Sequence, residues 1–419
     1  MARGNTMADI RSYTREKAKR EQQKNVQQNR FKLIKSESEE TFLEKLKKHR
    51  LTMLYRLLLF ALICGAIVAL FIIQYKNKTY TDYDVMRSTS RTAVSGSKDI
   101  RLGNYILTYS KDGAHCSDAS GNVLWDQTYE MQSPIVSVCG SVTAIGDYNG
   151  RNIYIYNAEK QLGTITTNLP VRNLCVAANG VVAAVLEDSD ATWIYVYDTS
   201  GKVLLSFYTK MQNSGYPAAI SLSPNALLCA VSYIYVDAGV VKSRVAFYNF
   251  DEYGQNQIDN LVGGYNYPDT VVPYVQFMNN ASVFAVCDDS IVFFKGSQIP
   301  EFLAVHYFDA EIRGVYHNDS YVGVVFYNAM GNTRYRMEIY NNAGEHVRTQ
   351  EFDLDYTDIL FDKDTYIIYN EEECMIMSMS GVEKYNGSFK KAVRLLVPTN
   401  GNYRYTLATR DSVDIIQMK

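Results

Sequence analysis

The segment VVAAVLEDSDATWIYVYDTSGKVLLSFY, from Val181 to Tyr208, decides the fold. It reads as strand, turn, strand, hairpin, strand: β-branched and aromatic residues fill VVAAVL, TWIYVY and VLLSFY, with polar turn residues between them. In DTSGK, Asp198 closes a turn through side-chain bonds to the backbone and Gly201 accepts positive φ, so both residues are read as structural. VVAAVL is apolar continuously, not alternately, which is the pattern of a sheet covered on both faces.

Working outward, the same strand ending recurs as AHCSD, IYIYN, IYVYD, VAFYN, IVFFK, MEIYN, MIMS and DIIQ. The final residues are Asp118, Asn157, Asp198, Asn249, Lys295, Asn341, Ser378 and Gln417, and the intervals run from 37 to 51 residues with a mean of about 43. Asp118 to Gly121 and Asn341 to Gly344 repeat the Asx-to-Gly turn. A period near 40 with several strands per unit predicts an all-β fold, a β-propeller. Eight units predict eight blades, or seven if the first unit is irregular. The chain ends two residues after Gln417, before an outer strand could follow. TYTDYDVMR, Thr79 to Arg87, has strand composition and is expected to complete the last blade, because an open blade leaves an unpaired edge.

Upstream the chemistry changes. Residues 1 to 50 hold 14 Lys/Arg and 7 Asp/Glu, against 28 and 38 in the remainder, so a basic leader precedes an acidic body. With 47% hydrophobic residues the body is long and apolar enough for a large core. Between them LLLFALICGAIVALFII, Leu57 to Ile73, contains no charge over 17 residues. At about 1.5 Å per residue this run and its flanks reach bilayer thickness. More than fifty residues precede it and QYKNKTY offers no cleavage site, so it is read as a retained anchor and not a signal peptide. Lys45, Lys47, Lys48, Arg50 and Arg56 outnumber Lys76 and Lys78 across the span, which predicts a cytoplasmic amino terminus and an extracytoplasmic carboxyl part.

The expected organisation is therefore a basic cytoplasmic tail with a juxtamembrane helix over 1–50, a transmembrane helix over 51–75, a linker with the ring-closing strand over 76–98, and an extracytoplasmic propeller over 99–419. Within the tail, a polar arm through Arg30 is expected to give way to a helix opened by capping residues between Ser38 and Thr41. No aromatic interleaving accompanies the basic charge, so no nucleic-acid partner is expected.

DASGNVLW at Asp118 to Trp125 and YDTSGKVLL at Tyr197 to Leu205 resemble the repeats of pyrroloquinoline-quinone-type propellers, and LSPNALLCAVSY at Leu222 resembles a turn of WD40-like and TolB-like propellers. The basic tail, the single span, YSKDG, SGYPAAISLSPN and FYNF together resemble a family of Firmicute single-pass membrane proteins of unknown function. The resemblance implies an exported propeller and carries no activity. Trp125–Asp126 lacks a Gly-His partner and no adjacent cysteines occur, so neither a true WD40 repeat nor quinone binding is inferred.

Among candidate chemical groups, His115, His306, His317 and His346 form no close ligand pair, although His306 and His317 could converge with an acid. No GxSxG, GxGxxG, Walker loop or HExxH is present, and no catalytic, metal or cofactor residue is assigned. Cys116, Cys139, Cys175, Cys229, Cys287 and Cys374 lie without CxxC spacing, several in apolar strands, and are read as buried free thiols. Most of the 34 tyrosines are read as blade packing. The nonrepeating loops MQNSGYPAA and EYGQNQIDNLVGGYNYPD stand apart, because extra loop length in propellers projects from one face. Tyr216, Tyr253, Tyr265, Tyr267 and Asp269 are the candidate contacts with a partner.

Two functions from different classes are compatible with this organisation. The first is a noncatalytic binding or scaffold module at the cell envelope, held to membrane lipid by residues 51–75 and docking an envelope protein, peptide or glycan. The alternative is an envelope hydrolase or lyase acting on glycan or peptidoglycan, with acids and a histidine meeting in the central channel. Signal transfer from ring to tail is a third role that one span does not require.

Overall fold

The computed structural model describes residues 6–189, 191–210, 215–329 and 331–419. The chain divides into two units, Met1–Lys78 and Thr79–Lys419.

In the first unit a single helix runs from Thr6 to Asn77. The expected helix start between Ser38 and Thr41 is not there, because the helix passes through those positions, and the polar stretch before Arg30 is helical rather than an arm. The reason is local. Residues 5–64 contain neither Gly nor Pro, and Lys, Arg, Gln and Glu are good helix formers that need no apolar stripe to continue a helix already nucleated. Phe42–Asn77 is long and apolar enough to cross a membrane, and none of its most apolar window is buried.

The second unit is an eight-bladed propeller of four-stranded antiparallel sheets. Blades 1 to 7 span 98–128, 134–166, 171–209, 216–267, 274–307, 312–352 and 358–388, each with its first strand innermost. Blade 8 takes three strands from the carboxyl end, Val393–Pro398, Arg404–Thr409 and Ser412–Met418, and its outer strand is Tyr83–Ser90. That strand pairs from Tyr83↔Met418 to Ser90↔Ser412, with an irregularity between Val85 and Arg87. The ring closure expected of Thr79–Arg87 is thus present, shifted toward the carboxyl side.

Each gap between neighbouring blades holds one apolar cluster, which accounts for the unbroken hydrophobic strands. Val182, Ala183, Ala184, Val185 and Leu186 are all fully buried, alternating between the clusters on the two faces of blade 3. The Asx–Gly turns form as read: Asp198 accepts from the backbone N–H groups of Ser200 and Lys202, and Gly201 sits at φ +83. Asp118 with Gly121, and Asn341 with Gly344, repeat the geometry.

Blade 4 departs from the repeat and accounts for the longest interval. Its two middle strands, Leu228–Asp237 and Val240–Asn249, have 10 residues each. A short helix, Glu252–Gln255, and a 3-10 turn, Ile258–Asn260, precede its outer strand.

Candidate functional site

The first strand of every blade runs in the same direction along the channel, so the turns that end these strands gather at one end of the ring. There the channel opens into a cavity of about 530 Å³, lined by residues of blades 1 to 7. This volume is in the range of ligand-binding clefts.

Because an innermost strand has no neighbour on its channel side, its outward N–H groups need other partners. Around blades 2 to 5 the preceding blade supplies them. Ser137 Oγ accepts from the Val176 N–H at 3.1 Å, and Ser221 Oγ accepts from the Phe277 N–H at 3.0 Å. Val176, Leu222, Phe277 and Met278 border this arc with their side chains buried in the clusters between blades, and Pro224 is half-buried at the cavity.

Blades 6, 7 and 1 build a different wall from Arg101, His317, Asn318, Asp319, Asp362 and Lys363. Asn318 donates from Nδ2 to the Phe361 carbonyl at 3.4 Å, joining blades 6 and 7. His317 opens to the cavity but is ringed by protein; burial lowers its pKa, favouring the neutral imidazole, and its ring meets Phe284 edge-on at 5.4 Å. Burial raises the Asp362 carboxyl, against the opposing fields of Lys363 and Arg101. Farther along the same strand, burial also raises Asp358, although the Ile359 N–H and the Tyr369 hydroxyl donate to it. Lys363 holds φ +51 at the turn.

The two cavity thiols are not nucleophiles at neutral pH: burial pushes Cys175 up to about 12 and raises Cys139. All seven cysteines are free, and five of the six in the propeller are buried, as read. Among the described residues no group of three or more His, Cys, Asp or Glu is arranged to hold a metal ion.

The residues singled out from the sequence are spread around blade 4. Tyr216 begins that blade's first strand, half-buried at the end of the ring opposite the cavity. Asp269 lies exposed in the loop after the outer strand, at that same opposite end. Tyr253 belongs to the Glu252–Gln255 helix, at the cavity end. Tyr265 packs on Phe294 at 5.0 Å and accepts from the Phe302 N–H at 2.9 Å, while Tyr267 packs against the cluster between blades 4 and 5. The five do not converge on one surface. Met211–Ser214 of the MQNSGYPAA loop lie outside the described residues. His306 and His317 are also not brought together: His306 is on the outer strand of blade 5, bonded to the Gly344 carbonyl at 2.7 Å, and His317 is on the inner strand of blade 6. The signal that marks the cavity is the last residue of each first strand, whereas the sequence repeat is clearest at the third.

A model of DUF5711, a family of unknown function, matches residues 76–418. The chain belongs to this family. No curated protein matches it in sequence. Among solved structures, this DUF5711 member is similar to Chaetomium thermophilum Sqt1 bound to the N-terminus of the ribosomal protein L10, at 11% identity and TM-score 0.51, over 81% of this chain and 100% of that one. The computationally designed Ika8 protein matches at 11% identity and TM-score 0.50, over 82% and 100%. BamB from Moraxella catarrhalis matches at 11% identity and TM-score 0.47, over 80% and 100%. At such identities the likeness is one of fold.

Proposed function

We propose that this DUF5711 chain is a membrane-anchored, noncatalytic binding or scaffold module, with its propeller outside the membrane and its basic tail in the cytoplasm. The observation that carries the reading is the cavity: a closed ring brings residues of blades 1 to 7 around one opening, with charged and polar side chains of blades 6, 7 and 1 on one side of it. The long apolar helix supports an anchor, and the Lys/Arg excess before Leu57 supports the orientation. Sqt1, a protein of the same fold, holds a segment of another protein, which makes an envelope protein or peptide the preferred class of partner.

The test uses full-length chain in its own membrane. Protease added to intact cells should remove the propeller and spare the tail; the reverse outcome inverts the topology. Crosslinking followed by affinity capture should return a stable partner without turnover of glycan.

One observation favours the alternative, a glycan-acting hydrolase or lyase: Asp358 and Asp362 both carry raised pKa values, as a general acid requires. Release of reducing ends from purified peptidoglycan, abolished by Asp362→Asn, would establish it in place of the binding reading.

A further inference from the structure

The approach to the apolar run is built for a second kind of lipid contact, and this assignment rests on the proposed membrane anchor. Over residues 42–56 Glu44 stands alone as an acid against Lys45, Lys47, Lys48, Arg50 and Arg56. All five cations are exposed, and none is in an ion pair among the described residues. Phe42, Leu43 and Leu46 share a helical face and are exposed as well, at 64%, 58% and 38%. A helix that carries basic and apolar side chains together, beside a span, has the composition of a segment that rests in a lipid interface.

The helix Thr6–Asn77 is continuous, so it fixes how far these groups stand from the hydrocarbon. About 20 residues cross the hydrocarbon, and counted back from Ile73 they begin near Leu54. At about 1.5 Å per residue, Arg50 then lies about 6 Å outside that boundary and Lys45 about 14 Å. These heights are comparable with the screening length of about 8–10 Å at ordinary salt. Lys24, about 45 Å out, is far beyond it. A topology signal acts once, during insertion, whereas cations held at this height go on attracting anions afterwards. Their sign selects the ligand, because a zwitterionic headgroup offers no net charge to four neighbouring cations and an anionic one does.

We infer that residues 42–50 dock anionic lipid headgroups, with Lys45, Lys47, Lys48 and Arg50 at their phosphates and the basic residues of the distal tail uninvolved.

The test uses the full-length chain reconstituted in phosphatidylcholine vesicles, with spin-labelled phosphatidylglycerol or phosphatidylcholine as the probe in both leaflets. Electron paramagnetic resonance reads the fraction of each probe held against the protein. Phosphatidylglycerol should be preferred about fivefold or more, the effect of one surface charge, and the preference should fade in about 1 M salt. Lys45→Gln/Lys47→Gln/Lys48→Gln/Arg50→Gln should abolish it; Gln is a good helix former, and circular dichroism checks that the helix is kept. Lys45→Arg/Lys47→Arg/Lys48→Arg should retain it, as should Arg15→Gln/Lys17→Gln/Lys19→Gln/Arg20→Gln in the distal tail. Equal contact with both probes in the parent, or a preference that survives the first variant, overturns the inference and leaves the anchor standing. Loss of the preference in the distal variant overturns it too, by spreading the attraction over the whole tail. Labelled RNA bound by a parent that shows no lipid preference, and released by the first variant, would assign the charges to nucleic acid instead. Extraction of the parent from cell membranes by alkaline carbonate would defeat the anchor and this inference together.

Discussion

The gap between blades 3 and 4 and the gap between blades 8 and 1 perform the same task with different chemistry. Between blades 3 and 4 the cluster of buried apolar residues has 15 members, among them Val185, Ile194, Phe207, Val231 and Tyr248. Between blades 8 and 1 it has five: Ile106, Leu395, Val397, Ala408 and Val413. The seam makes up the difference with polar contacts. Asp99, with a fully buried side chain, receives Arg91 at 2.6 Å, Arg394 at 3.2 Å and the Thr108 hydroxyl at 2.6 Å. Within blade 8 itself, Asp414 of the third strand binds Ser88 of the outer strand and, at 2.9 Å, Lys391. The outer strand of blade 8 is also held on its blade 7 side, where Lys390 sits over the Tyr83 ring at 4.6 Å and donates to the Tyr83 carbonyl at 3.0 Å. A one-residue slip would turn buried side chains to the opposite face, and here it would break these polar bonds as well. The seam joins chain segments that covalent geometry does not hold together, so the place where register is least constrained by the chain is where it is most constrained by charge.

This contrast can be broken most severely by deleting residues 83–90. Strand Ser412–Met418 then becomes an exposed edge, and the full-length protein should lose its cooperative melt and aggregate, as read by calorimetry and size-exclusion chromatography. Substituting Asp99→Ala leaves Arg91 and Arg394 facing each other without their carboxylate, and a loss of about 3–5 kcal/mol is expected in urea denaturation. A loss below about 1 kcal/mol, the worth of a surface pair, would mean the seam is held by its few apolar contacts after all. In the apolar gap, Ile194→Val removes one buried methylene from a well-filled cluster and should cost about 0.5–1.5 kcal/mol.

The smallest effect is a difference in pH response. Burial works to raise the Asp414 pKa, but bonds from Ser88, Lys391 and Ser412 outweigh it and the net value is lowered. Its contribution is complete above about pH 4, the ordinary Asp value, and disappears as pH falls through the lowered folded value. Asp358 and Asp362, raised by burial, have the opposite sign: their contribution is complete below about pH 4 and is lost as pH rises through their raised values. Asp414→Asn should therefore flatten the acid limb of stability against pH, while Asp362→Asn should stabilise more at neutral than at acid pH. Denaturant midpoints across that range decide it, and parallel curves for all three proteins would remove the electrostatic distinction between seam and cavity.

Much of this architecture is legible in the sequence because repetition is local. All eight repeat anchors, from Asp118 to Gln417, fall within one residue of the end of a third strand. Closure by the residues after the apolar helix follows from the missing outer strand of the last unit. The cavity is not legible in the same way. Arg101, His317 and Asp362 are far apart in sequence and lie at the ends of inner strands, where blades 1, 3, 4 and 5 finish on the buried Leu102, Val176, Leu222 and Phe277, so residue type differs from blade to blade and no period marks the cavity. The tyrosines of the blade 4 loops stand out by composition, yet Tyr265 and Tyr267 are explained by packing against blade 5. The continuous helix carries no amphipathic periodicity to announce it, because uninterrupted intrinsic propensity suffices.

The strand that finishes blade 8 is among the first parts of the propeller to be synthesised, and its partner is the last: Lys419 bonds Asp84 across a separation of 335 residues. During translation that early segment must wait, unpaired, while seven sheets form behind it. Loop-closure entropy makes so distant a pairing slow, and a nascent chain halted short of Ser412–Met418 is left with an open ring. The circle therefore stays open until Ser412–Met418 has been made, since the early strand pairs with no other.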